Sequence, residues 1–264
     1  MAKPTWRRYV AIGDSLTEGL DDTNPDGTPR GWADRFAQHL ADAAGEPIQY
    51  ANLAIRGRLL GPIIAEQVEP ALSLQPDLVS LWGGGNDILR PRADVDAISA
   101  ELERAVVRLQ RDGVEVIIGT GIDAKGSPLV ELTRSRTALF NANLWSIARR
   151  TGAYVIDVWG MRSVKDWQMW GPDRIHLNGL GHERVAQAAL AAVGLTPRDG
   201  WDDPLPLLPP KTRREWLEWQ ANWARDYAGP WLGRRIRRTS SGAGRSAKLP
   251  QYVSVQPSSA DPAQ

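Results

Sequence analysis

A serine hydroxyl becomes a useful nucleophile when an imidazole can take its proton and a carboxylate holds that imidazole in one tautomer. The chain has 264 residues, only three histidines and no cysteine. A histidine base must therefore be His39, His176 or His182. A cysteine nucleophile, a disulfide framework and a thiolate metal site are excluded. His176 stands in Asp173-Arg174-Ile175-His176. An aspartate three residues before a histidine, in a turn, can bring its carboxylate to imidazole Nδ1 and leave Nε2 free to act as a base. His182 falls at the start of a helical segment and reads as structural, and His39 reads as helix surface. The serine is Ser15, in Gly13-Asp14-Ser15-Leu16-Thr17-Glu18-Gly19. Gly-x-Ser-x-Gly, the nucleophile elbow of another hydrolase fold, is not met, because Thr17 holds its last position. Two further segments offer donors for a developing oxyanion. Trp82-Gly83-Gly84-Gly85-Asn86-Asp87 supplies the Asn86 amide, and Gly57, five residues after Asn52, supplies a backbone N–H. Taken singly, each segment also reads as an ordinary turn or helix cap.

The elements that must position these residues are visible as short apolar runs: Tyr9–Gly13, Ile48–Ala54, Leu78–Trp82, Val114–Ile118 and Ala153–Trp159. Segments of helical spacing lie between them. In Val95–Leu109 the apolar positions recur mostly every three or four residues, after Asp94 as a capping residue. Pro128–Arg150 and Asn178–Val193 read as two more helices. Alternating strands and helices imply a parallel sheet covered on both faces. The candidate residues follow strands one, two, three and five, the end of such a sheet where ligands bind. Two rival readings fit parts of this pattern. A flavodoxin-like cofactor-binding protein would use Ser15-x-Thr17-x-Gly19 to cradle a phosphate, and a non-catalytic binding protein could use the same fold.

After Thr196 the character changes. Four prolines in Asp202–Pro210 imply an extended linker. Lys211–Tyr227 has helical spacing, with Trp216, Trp219, Trp223 and Tyr227 on one face. The net charge is +1, yet residues 211–248 hold ten Lys+Arg against three Asp+Glu, including Arg234-Arg235-Ile236-Arg237-Arg238. The sequence thus divides into 1–196, a linker 197–210, and a tryptophan-rich helix with a basic tail, 211–264, whose end is expected to be disordered. The tail's face could dock on the α/β domain, or its basic run could meet an acidic partner or an anionic surface. Neither reading gives residues 211–248 a part in the chemistry. No apolar run approaches the roughly 20 residues that span a bilayer, and the first residues do not resemble a secretory signal, so a cytoplasmic protein is expected.

Taken together, the four segments closely resemble those of the SGNH hydrolases, or GDSL esterases and lipases, across residues 8–194. Gly13-Asp14-Ser15-Leu16 matches the nucleophile motif, Gly57 the oxyanion glycine, Gly84-Gly85-Asn86-Asp87 the Gly-x-Asn-Asp block, and Asp173-x-x-His176 the last block. The resemblance implies a three-layer α/β/α sandwich, flavodoxin-like, with a five-stranded parallel sheet in the order 2-1-3-4-5. It implies Ser15 as nucleophile, His176 as base and Asp173 as its orienter. The oxyanion donors would be Ser15 N–H, Gly57 N–H and the Asn86 amide. It also implies small-molecule esters as substrates, thioesters or acetylated sugars among them, and no metal or organic cofactor. Trp82, Trp167 and Trp170 flank the catalytic segments and are expected either to line an acyl or sugar pocket or to pack the core.

Overall fold

A computed structural model describes residues 6–123, 131–229 and 241–258. Five parallel strands form the sheet: β1 (Arg8–Gly13), β2 (Ile48–Asn52), β3 (Leu78–Trp82), β4 (Glu115–Gly119) and β5 (Tyr154–Ile156). β1 pairs with β2 and β3, β3 with β4, and β4 with β5, all parallel. β3 is buried along its whole length, as expected for a strand covered on both faces.

A sixth strand, β6 (Leu249–Val255), runs antiparallel beside β2. The sheet order is thus β5-β4-β3-β1-β2-β6. This corrects the expected five-stranded sheet. It also places 249–255, in the stretch expected to be disordered, in regular structure. The physical reason lies in Leu249-Pro250-Gln251-Tyr252-Val253-Ser254-Val255. Leu249, Tyr252 and Val255 are half-buried against the two cores, and an edge strand tolerates Pro250. Lys248 fixes its start, with Nζ donating to Asp34 at 2.6 Å and to the Pro29 and Arg30 carbonyls. This cation of the basic tail is therefore engaged inside the protein. The run Arg234–Arg238 lies outside the described residues.

Nine α-helical segments complete the described residues. They are α1 (Ser15–Glu18), α2 (Gly31–Ala44), α3 (Leu60–Ile63), α4 (Glu69–Ser73), α5 (Gly85–Ile88), α6 (Val95–Gln110), α7 (Arg134–Thr151), α8 (Gly179–Ala192) and α9 (Arg213–Trp223). A π-helical turn, Ile64–Val68, joins α3 to α4. α2 and α8 cover one face, burying Trp32, Phe36, Leu40, Val185 and Ala189 against Tyr9, Tyr50 and Ile117. α6 and α7 cover the other, burying Leu102, Val106, Leu109, Phe140 and Leu144 against Val10, Val79 and Val116. Val10 and Tyr9 sit in opposite cores, as the two-residue period of a strand requires. α9 stands apart in kind, because none of its residues is buried. No helix among the described residues is long and apolar enough to cross a membrane.

Candidate active site

The site forms where β1 and β3 lie side by side and their connections leave in opposite directions, the crevice that such sheets offer to ligands. β1 ends at Gly13, which no other residue could replace without rearrangement: an added Cβ would meet the Trp82 carbonyl at 2.5 Å. The buried Gln67 brackets Gly13, accepting from its N–H at 2.8 Å and donating to its C=O at 3.0 Å. The chain then turns into α1. Asp14 caps the helix by accepting from Leu16 N. Ser15, the first helical residue, has a backbone N–H with no partner inside the helix.

Ser15 Oγ lies 2.9 Å from His176 Nε2, and His176 Nδ1 lies 2.6 Å from Asp173 Oδ2. The other oxygen of Asp173 accepts from the backbone N–H groups of Ile175 and His176. The carboxylate thus closes the turn and meets the ring at once. Burial works to lower the His176 pKa, but the Asp173 hydrogen bond and charge, with Asp21 and Asp14, raise it above the ordinary imidazole value. Asp173 is pulled below the usual carboxylate range, because the hydrogen bond and charge of His176 outweigh its burial.

Two carboxyls escaped the sequence analysis. Asp21 has a left-handed backbone, φ 63°, and comes within hydrogen-bonding reach of Asp173. Burial and the Asp173 charge raise its pKa. Gly171 makes room for it, since a Cβ there would lie 2.2 Å from Asp21 Oδ2. Asp14 is pushed up to about 6, chiefly by burial, with Asp87 and Glu18 adding to the shift and the Leu16 N–H and His176 opposing it. Asp21, Asp173 and His176 also present metal-ligating atoms within 4.8 Å of one another. A cation there would compete for the atoms that link Asp173, His176 and Ser15.

Asn86 sits in α5 across the crevice. Its amide donates to Asp14 Oδ2 and to the Arg58 carbonyl, each at 3.0 Å. Both amide hydrogens are engaged, which the sequence did not foretell. Gly57, φ 72°, lines the same cavity. Its loop is tied to α1 by Arg56, whose backbone N–H and guanidinium both donate to Glu18. It is tied to α5 through Leu60 N, which donates to Asp87. The third and fourth positions of the Gly-x-Asn-Asp block therefore do different work: Asn86 faces Asp14, and Asp87 caps α3.

The cavity is about 1450 Å³, and its walls include Trp82, Trp167 and Trp170 together with Leu16, Ile88 and Phe140. Trp82 belongs to the core as well, 8% exposed with its edge against Trp32. Phe140, from α7, gave no local signal in the sequence. The remaining histidines stand apart from this chain of contacts. His182 is fully buried and accepts from Trp32 N while its other nitrogen reaches the Leu20 carbonyl. His39 pairs with Glu183 of α8, so it joins two helices rather than facing solvent alone. Thr17 is wholly buried, which removes a hydroxyl from the phosphate cradle of the flavodoxin-like rival.

α9 touches the site. Trp223 Nε1 donates to the Asp173 carbonyl at 2.9 Å. Residues 211–248 were expected to take no part in the chemistry, but they contact the turn that carries Asp173 and His176. Asp226, Tyr227, Ser241 and Arg245 also line the cavity.

No curated protein matches the sequence. Solved structures do resemble the fold. LAE5, an α/β hydrolase from the metagenome of Lake Arreo, Spain, is 22% identical with a TM-score of 0.59, over 70% of this chain and 94% of that one. EstA, a psychrotrophic esterase from Pseudoalteromonas sp. inhibited by monoethylphosphonate, is 17% identical at 0.56, over 71% and 97%. A catalytic mutant of Axe2, an acetylxylan esterase from Geobacillus stearothermophilus, is 20% identical at 0.59, over 77% and 100%. The family model of the GDSL-like lipases and acylhydrolases matches residues 11–184. That span runs from β1 into α8 and takes in Ser15, Gly57, Asn86, Asp173 and His176. The chain therefore belongs to the GDSL-like lipase/acylhydrolase family and is a carboxylic ester hydrolase.

Proposed function

We propose that the chain cleaves esters through an acyl-enzyme on Ser15. The observation that carries this reading is the continuous hydrogen-bonded series Ser15 Oγ–His176 Nε2–His176 Nδ1–Asp173, at 2.9 and 2.6 Å. His176 takes the Ser15 proton as Oγ attacks the ester carbonyl. The tetrahedral intermediate collapses, and His176 gives that proton to the leaving alcohol. Water then repeats the sequence and frees the acid. Asp173 keeps Nδ1 protonated and stabilises the imidazolium. The Ser15 N–H, at the start of a helix, is one oxyanion donor. Gly57 N–H is the second. Asn86 supplies the third by turning one hydrogen from the Arg58 carbonyl to the oxyanion while Asp14 retains the other.

The cavity, about 1450 Å³, exceeds the roughly 300–1000 Å³ of ordinary small-molecule sites. Its apolar wall of Leu16, Ile88 and Phe140 suits an acyl chain longer than acetyl, and Trp167 and Trp170 add aromatic lining. We therefore favour esters of extended acyl chains over acetylated sugars. The test is a panel of esters graded in acyl length, with acetylated xylan oligosaccharides as the contrast, and labelling by an alkyl fluorophosphonate. Ser15 should carry the label, as monoethylphosphonate inhibition of EstA suggests. Rates should rise from acetyl to medium chains. A label elsewhere, or none with active protein, ends the assignment of Ser15. Highest activity on the acetylated sugars ends the substrate reading alone.

A further inference from the structure

The turn carrying Asp173 and His176 is held from outside the α/β core. Arg174, between the two, has a left-handed backbone, φ 59°, and is only 6% exposed. Its guanidinium lies 3.3 Å from the centre of the Trp219 ring and 4.7 Å from that of Trp223. It donates to the Gln220 side chain at 2.6 Å and to the Trp219 carbonyl at 3.2 Å. Trp223 Nε1 donates to the Asp173 carbonyl. These contacts come from Trp219, Gln220 and Trp223, which share a helix face by their spacing. The other residues of α9 are exposed, including Leu217 at 52% and Trp216 at 47%, although Trp216 shares the face of Trp219 and Trp223. The family match ends at residue 184, so α9 lies beyond the matched span.

A left-handed arginine is strained relative to glycine, and the turn's own backbone bonds, Arg174 N–H to Gly171 C=O and Gly171 N–H to His176 C=O, close it without gripping the Arg174 side chain. A guanidinium against two indoles, with two further hydrogen bonds, supplies that restraint. We propose that α9 is part of the active site, with Trp219 and Trp223 as positioning residues that hold Arg174. Through Arg174 they fix the Asp173–His176 turn so that the imidazole meets Ser15. This rests on the reading of Ser15 and His176 as nucleophile and base. It gives the C-terminal extension a task in the chemistry rather than in binding a surface.

The test replaces Trp219 and Trp223 together by alanine in the full chain. None of α9 is buried, so the domain keeps its fold and its melting temperature shifts little. The expected result is a fall in kcat of about ten- to a hundred-fold, the scale of a displacement near 1 Å, with KM for a small ester changed far less. Trp223→Phe keeps the ring but loses the bond to Asp173, and it should fall between the double variant and the wild type. The second readout is the titration of the His176 ring by NMR, which needs no turnover. His176 is faced by Asp173 on its own turn, Asp21 and Asp14 beyond α1 and β1, and the neutral His182 in α8. When the turn loosens, the Asp173 bond weakens and the His176 midpoint falls toward 6.5. Unchanged kcat and an unchanged His176 titration in the double variant overturn the proposal. If wild type hydrolyses no ester, the functional reading fails, while the NMR titration still decides whether α9 holds the turn.

Discussion

The two halves of the site are built by different means. Ser15 and its surroundings stand on buried structure: Gly13 is pressed on the Trp82 carbonyl, Gln67 brackets its peptide, and Glu18 binds the Gly57 loop. Asp173 and His176 stand on a turn after the last parallel strand, β5. Their outer support is a helix with no buried residue. On the proposed reading the nucleophile rests on the core, while the base rests on its own hydrogen-bonded turn and on a surface helix. Damage to the first half should therefore register in stability as well as rate, and damage to the second in rate alone.

Ser15→Ala tests the half that the core fixes and should have the largest effect. Loss of a nucleophile in a triad enzyme costs on the order of a million-fold in turnover. Near-wild-type ester hydrolysis by that variant would remove Ser15 from the mechanism. Asp173→Asn tests the other half. It should lower turnover by up to roughly ten-thousand-fold, the loss seen when a triad histidine is left in the wrong tautomer. The pH profile should move too. The base must be neutral to act, and Asp173 is what lifts His176 above its ordinary value. In wild type kcat/KM should rise with pH through a midpoint above 6.5, and in the variant residual activity should extend to lower pH. A midpoint that stays put would mean that Asp173 does not govern the base.

Gln67→Ala strikes the support beneath Ser15 without touching Ser15 itself. It leaves the buried Gly13 N–H without its Gln67 partner, while the Gly13 C=O keeps the Ile55 N–H, a loss of about 1–3 kcal/mol for one buried polar group. Thermal unfolding should report that loss, with a moderate fall in kcat beside it. A variant that lost activity at full stability would show that Gln67 tunes chemistry and does not merely brace β1. The smallest effect on rate is expected for His182→Gln. The folded His182 is held neutral, lowered to about 4 by burial, against 6.5 unfolded. Between those values the unfolded chain takes a proton that the folded chain refuses, so this contribution to stability is present above 6.5 and is lost as pH falls toward 4. The variant should keep its turnover per folded molecule and lose that part of the slope in pH melts. An inactive His182→Gln beside an active His176→Gln would reverse the choice of base.

The comparison also explains what the sequence could reveal. Asp173 and His176 are three residues apart, so that contact is written locally. The strands β1 to β4 were legible from apolar runs, while Ala153–Trp159 shrank to β5, 154–156, because the chain leaves the sheet into turns. Gln67 acts on a residue 54 positions away and Asn86 on one 72 away, and no spacing announces such partners. Asp21 reaches Asp173 only because Gly171 lacks a side chain. The bond from Trp223 to Asp173 crosses 50 residues, so the tryptophan stripe was visible while what it grips was not. β6 was obscured by its neighbours, since a basic and Ser/Gly-rich stretch precedes it and only Tyr252-Val253-Ser254-Val255 carries a strand's alternation.

β6 has a consequence for anyone who shortens this chain. β2 would otherwise be the outermost strand of a parallel sheet, with a row of backbone donors and acceptors facing water. Such an edge is a template for other chains. β6 covers it in antiparallel register from Ile48 to Asn52, pinned at its start by Lys248 on Asp34. A protein cut before residue 249 uncovers that edge, and dimers or aggregates built on β2 should follow. Light scattering on such a fragment would detect them. Loss of activity on truncation thus has two separable sources, a loosened turn and a self-associating sheet, and only substitutions within α9 isolate the first.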